Sequence, residues 1–186
     1  MRYLVLLSCL GGTIVMAAEG LLIDDRGTGN LDSTLGPVWR MATDGVMGGI
    51  SRGTITRDTI AGRDCLRMQG DVRLENNGGF IQLVLSMQNT AAADASGYTG
   101  IVMDVYGNDQ AYNLHLRTDD LWLPWQSYRA TFQAPAHWQT VQLPFSDFTP
   151  YKTSKTLDQG ELERIGVVAI GRAFRADVCV ARLGFY

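Results

Sequence analysis

"DVRLENNGGFIQLVLSM", residues 71–87, decides the fold class. Two apolar stretches flank a polar, glycine-rich centre. Asn77-Gly78 between such stretches is a strong short-range hairpin signal, because a tight turn between strands needs residues that accept positive φ. The segment therefore reads as a hairpin, with Gln82 on the polar side of its second strand. The pattern recurs along the chain. After a polar, turn-rich lead-in over residues 19–37, "GIVMDVYG" and "YNLHLRT" are joined across "NDQA", and "WQSYRATFQA" and "WQTVQLPF" meet near Pro135. "RIGVVAIG" and "ADVCVARLGFY" close the chain, and only "DQGELERIG" suggests a helical turn. Short strands at regular spacing, with turn residues between them, predict an all-β protein, a jelly-roll β-sandwich. No repeat or linker divides it, so one domain is expected over residues 19–186.

Composition agrees. The chain has 186 residues, 46% hydrophobic and 19% charged, enough for one real core and too apolar for disorder. A formal charge of −3 is not the basic footprint of a nucleic-acid binder. The opening "MRYLVLLSCLGGTIVMAAEG" has a positive charge at Arg2, an apolar run, and small residues at Ala17 and Ala18. That is a secretory signal pattern over residues 1–18, and it predicts an exported chain, periplasmic or secreted. An N-terminal membrane anchor is the alternative, although Gly11 and Gly12 interrupt the run and it is short for a span. "LLSC" at Cys9 faintly resembles a lipidation signal, with too few residues before it.

Two cysteines lie beyond the signal. An oxidising compartment favours their pairing. Alternation argues against it: Cys65 shares a face with Arg67 and Gln69, whereas Cys179 falls with Ala181, Leu183 and Phe185 on a core-like face.

The same alternation sorts the other strands. Ile101, Met103, Val105, Tyr112, Leu114, Leu116, Tyr128, Ala130 and Phe132 read as inward. One outward sheet face is then expected to carry Gln82, Asp104, Tyr106, Asn113, His115, Arg117, Trp125 and Arg129. Aromatic rings beside Asp, Asn, His and Arg suit a sugar, since rings stack on C–H faces while polar groups bond hydroxyls. A plain solvated sheet face has the same composition, and both readings stay open.

Catalysis and cofactors have little support. The chain has two histidines, and no GxSxG, HExxH or CxxC. "DDRGTGNLDS" has oxygen donors without EF-hand spacing, so no metal site is assigned. "TDGVMGGIS", residues 43–51, looks like a phosphate loop, but the residues after Ser51 read as strand and turn instead of helix, and no Lys-Ser or Lys-Thr pair directly follows its glycines. Its glycines permit tight turns beside a strand.

Taken together, "TDGVMGGIS" preceded by Trp39, "VRLENNGGFIQL", "WQSYRATFQ" and "WQTVQLPFSDFTP" resemble the complex I intermediate-associated protein 30 family, from about Trp39 to Tyr186. The resemblance implies a galactose-binding-like jelly roll with no catalytic residues and no cofactor. It implies two signature turns, one of Asp44, Gly45, Met47, Gly48, Gly49 and Ser51, the other of Glu75, Asn76, Asn77, Gly78, Gly79 and Phe80. Asp44, Asn76 and Asn77 are expected to tie these turns through side-chain to backbone bonds, and the turns are expected to meet. Eukaryotic members are implied to hold membrane-arm intermediates of respiratory complex I, and the fold's other relatives include carbohydrate-binding modules. The expected function is a non-enzymatic, exported binding protein, assembly-factor or chaperone-like, with a protein partner that includes a membrane complex among its candidates. The alternative is a carbohydrate-binding module using one sheet face; a hydrolase would instead show two carboxylates facing each other in a pocket. The family's complex I role is performed on the matrix side, and an exported chain could meet only the outer side of such a complex.

Overall fold

The computed structural model describes residues 20–186, so the signal-like residues 1–18 lie outside the described residues. The strands form two antiparallel sheets of six, packed face to face. The first sheet has the order β3 (Arg52–Ile60), β4 (Arg63–Val72), β12 (Phe174–Phe185), β6 (Gly100–Tyr106), β9 (Gln139–Pro144), with β1 (Leu22–Asp24) on the far end of β12. The second has the order β10 (Thr149–Tyr151), β8 (Ser127–Ala134), β7 (Gln110–Thr118), β11 (Leu162–Ile170), β5 (Phe80–Ser86), β2 (Arg40–Thr43). The predicted jelly-roll sandwich is the observed architecture.

The expected hairpins are corrected. β4 and β5, on either side of "NNGG", lie in different sheets, and so do β6 and β7, β8 and β9, and β11 and β12. Of consecutive strands among the described residues, only β3–β4 and β7–β8 pair with each other. The reason is the core. Each strand must turn its apolar stripe inward, and a crossing connection lets two successive stripes face each other across one interior. At "NNGG" the chain makes a 3-10 turn over Glu75–Asn77, with Asn76 left-handed at φ 57°, and changes sheet. "DQGELERIG" is no helix: the Asp158 carboxylate accepts from the Gly160 N–H at 2.9 Å, and Leu162 begins β11.

Every residue read as inward is buried, and Trp39, Tyr112, Tyr128 and Phe185 are the largest of the fully buried side chains. Fully burying such a side chain stabilises the fold by about 2 kcal/mol or more. The polar tips are satisfied. Tyr112 donates to Asn108 Oδ1 at 2.6 Å and accepts from the Asp177 N–H at 2.9 Å. Trp39 Nε1 donates to Asp24 at 2.7 Å, and Asp24 is paired with the buried Arg26 at 2.7 Å, which pins the lead-in segment to the core.

Cys65 and Cys179 do form a disulfide, with Cα atoms 5.6 Å apart. Regular alternation breaks at one place in β12. β12 shifts register between Val180 and Arg182, so its parity changes there. Val178 and Val180 face the core before the shift, Leu183 and Phe185 after it. Cys179 therefore points outward with Asp177, on the face that already holds Cys65 and Arg67. Ile60, Tyr106 and Trp138 cover the bridge.

Candidate functional site

The two signature turns meet at one carboxylate. Asp44 opens a 3-10 turn over Asp44–Met47 and is fully buried. It accepts hydrogen bonds from the Ser51 N–H at 3.0 Å, the Ser51 hydroxyl at 2.5 Å, the Gly79 N–H at 2.6 Å and the Phe80 N–H at 3.3 Å. The Ser51 hydroxyl in turn accepts from the Arg73 N–H at 2.9 Å. Burial alone would raise the Asp44 pKa; the bonds from Ser51, Gly79 and Phe80 outweigh it, and the net shift is downward. Two glycines are required by this packing. A Cβ on Gly78 would come within 2.5 Å of Asp44 Oδ2, and one on Gly49 would overlap the same carboxylate. Asn76 contributes its left-handed backbone, with an exposed side chain. The side chain of Asn77 lies outside the described residues.

This hub forms one bank of a cleft of about 650 Å³ over the outer face of the second sheet. The floor runs from Ala42 on β2 through Gln82, Val168, Gly166 and His115 to Arg129 on β8. Val46, Met47 and Leu74 stand on the signature bank; Trp125 and Tyr151 stand on the other. Nine large hydrophobic side chains are exposed among the described residues. Those five line the cleft, and Trp122, 88% exposed, and Leu123 ride on the loop that carries Trp125.

The polar groups have separate roles. Arg117 donates to the carbonyls of Leu121, Leu123 and Gln126, each at 2.8 Å, and pairs with Glu163 at 3.3 Å. It holds the tryptophan loop in shape. Arg129 lies over the Tyr151 ring at 3.4 Å, and its Nε donates to the Ser127 hydroxyl at 2.9 Å. Burial moves the Arg129 pKa down. His115, opposite Arg129 in register, is pushed down to about 3 by burial and then by the Arg129 charge, so it is neutral near pH 7. Its Nε2 is buried with no hydrogen-bond partner among the described residues.

The expected single face is thus corrected. Gln82, His115, Arg117, Trp125 and Arg129 come together in the cleft, and Asn113 shares their sheet face, bonded to Thr131 at 2.9 Å. Asp104 and Tyr106 belong to the first sheet. There Asp104 accepts from Arg63 at 2.6 Å and from Thr140 at 2.5 Å, while Tyr106 packs on Trp138. The local alternation of β6 was correct; its sheet depends on long-range pairing with β9 and β12. Alternation could not find Val46, Met47, Leu74 and Trp122, because they sit in turns and loops where no periodicity applies. Neither does the cleft offer facing carboxylates: among the described residues no Asp or Glu lines it. A smaller hollow of about 280 Å³ holds Asp119 and Glu161, both exposed.

Comparison with known proteins gives a family and a fold. Residues 30–176 match the family described as Complex I intermediate-associated protein 30. No curated protein matches the sequence. Among solved structures, the chain is similar to the family 11 carbohydrate-binding module of a cellulosomal cellulase of Clostridium thermocellum, at 14% identity and a TM-score of 0.72, covering 91% of this chain and 95% of that one. The family 11 module from that organism in complex with a β-1,3-1,4-mixed-linked tetrasaccharide has 15% identity and a TM-score of 0.69, with 91% and 96% covered. A family 30 module of another cellulosomal cellulase of the same organism has 15% identity and a TM-score of 0.63, with 90% and 97% covered. At these identities the likeness is one of fold.

Proposed function

The chain belongs to the complex I intermediate-associated protein 30 family, and from that premise we propose that it is a non-enzymatic, exported binding protein that engages a protein partner through the cleft of its second sheet, in the manner of an assembly factor or chaperone. The observation that carries this reading is that five of the nine exposed large hydrophobics of the described residues line one cleft, with two more, Trp122 and Leu123, on the loop that carries Trp125. Scattered exposed hydrophobics are ordinary, but a contiguous patch rimmed by polar groups marks an interaction surface. Its makeup of Trp, Tyr, Met and Arg is that of a protein interface. Export is supported by the Cys65–Cys179 bridge, a bond of oxidising compartments. An exported chain would meet a membrane complex from its outer side.

A second reading is a glycan. Trp125 and Tyr151 above a floor of Gln82, His115 and Arg129 offer ring faces and hydrogen bonds to a sugar. The family 11 neighbour was solved with a tetrasaccharide, which makes a mixed-linked β-glucan the first sugar to try.

The test is capture from the native cell envelope, with the full chain as bait beside a Trp122→Ser/Trp125→Ser variant. The protein reading expects the same membrane-complex subunits in repeated captures, reduced about tenfold in the variant, the scale of losing an interface hot spot. Capture unaffected by the variant removes the cleft from the reading. Capture of glycan, competed by free mixed-linked tetrasaccharide, replaces the first reading with the second.

A further inference from the structure

We infer that the occupant of the cleft is an extended, acidic polypeptide segment, with one side-chain carboxylate seated on Arg129 and apolar side chains against the two banks. This rests on the protein-partner reading above. Charge complementarity argues for it. In a chain with 19 acidic and 16 basic residues, the cleft is lined by Arg117, Arg129 and Arg164 and, among the described residues, by no carboxylate. Two of these arginines are engaged: Arg117 by three loop carbonyls and Glu163, and Arg164 by Glu163 at 3.2 Å. Arg129 meets no carboxylate among the described residues. Ser127 takes its Nε and Tyr151 takes one face of its plane. A half-buried guanidinium without a counter-charge is costly, and a planar fork beside a ring suits a carboxylate that approaches in its plane.

The banks decide the class of molecule. Rings alone would suit sugars, but Val46, Met47 and Leu74 offer sugar hydroxyls no hydrogen bond, while they cover apolar side chains well. The length fits as well. The cleft as a whole spans all six strands, from Ala42 on the floor at β2 to Tyr151 on the bank at β10. Six strands side by side span about 24 Å, the reach of roughly seven extended residues.

The test is selection of displayed random octapeptides on the full chain, followed by affinity measurement with synthetic peptides amidated at the C-terminus. Wild type, Arg129→Gln and Arg129→Lys are compared, each checked for cooperative thermal unfolding. The expected winners carry Asp or Glu between apolar residues. Replacing that acid by its amide weakens binding to wild type on the order of tenfold, as for one charge-assisted bond. Arg129→Gln binds acid and amide forms alike, and Arg129→Lys keeps only part of the preference, because an ammonium restores the charge without the planar fork. Apolar winners without an acid, or an acid preference that survives Arg129→Gln, overturn the carboxylate seat and leave the protein-partner reading standing. Failure to enrich any peptide, with or without binding of an oligouronate, overturns both.

Discussion

Asp44 is the residue on which the signature turns depend. With four donors on one buried carboxylate, its removal leaves N–H groups of both turns unpaired. Asp44→Ala is expected to cost about 3 kcal/mol in urea unfolding, from unsatisfied buried donors. A loss below ~1 kcal/mol would mean that the turns hold without it. Its folded pKa lies below the ordinary 3.8, so its contribution is complete above that pH and fades as pH falls through the lowered value. His115 acts in a different window. Its folded pKa is pushed from 6.5 down to about 3. The unfolded chain therefore takes up a proton that the folded one refuses, and stability declines as pH falls from 6.5 towards 3. Between pH 7.5 and pH 5 this amounts to about 2 kcal/mol. His115→Gln should flatten the curve over that range; an unchanged curve would show that the imidazole protonates freely in the fold.

At the scale of elements, Arg117 ties the loop after β7 at three carbonyls, beside the bonds that Gln126 and Lys155 make to it. Arg117→Met removes three loop bonds and the ion pair to Glu163 while leaving the core intact. The expected result is faster amide exchange over residues 121–126 and easier quenching of tryptophan fluorescence, with global stability changed by only about 1 kcal/mol. Unchanged exchange would mean that the loop is rigid for other reasons. The strands show what a sequence can and cannot reveal. Ile101, Met103 and Val105, or Tyr112, Leu114 and Leu116, are legible as inward because alternation is local. Whether β6 lies beside β7 is not local, and the misplacement of Asp104 and Tyr106 came from treating chain neighbours as sheet neighbours. The disulfide was obscured by one irregular step near Ala181. The signature turns were legible as turns, yet the apolar rim they present had no pattern to find.

For the whole molecule, the bridge between Cys65 and Cys179 closes a stretch 114 residues long across the first sheet. Its loss by the Cys65→Ala/Cys179→Ala pair should cost roughly 4 kcal/mol, and reducing agent should do the same to the wild type. Equal stability of oxidised and reduced protein would weaken the case for an oxidising compartment. The two sheets also divide the surface by role. Both bear ion pairs, such as Arg67 with Asp58 and Asp177 on the first and Arg117 with Glu163 on the second, but the apolar-rimmed cleft lies on the second. The most direct test of that division is photo-crosslinking in the native cell, from a benzoylphenylalanine placed at Met47, at Trp122, or at Thr56 on the outer face of the first sheet. Adducts to the same partner protein from positions 47 and 122, and none from 56, are the predicted result. Adducts from position 56 alone, or from all three alike, would contradict the cleft as the binding surface.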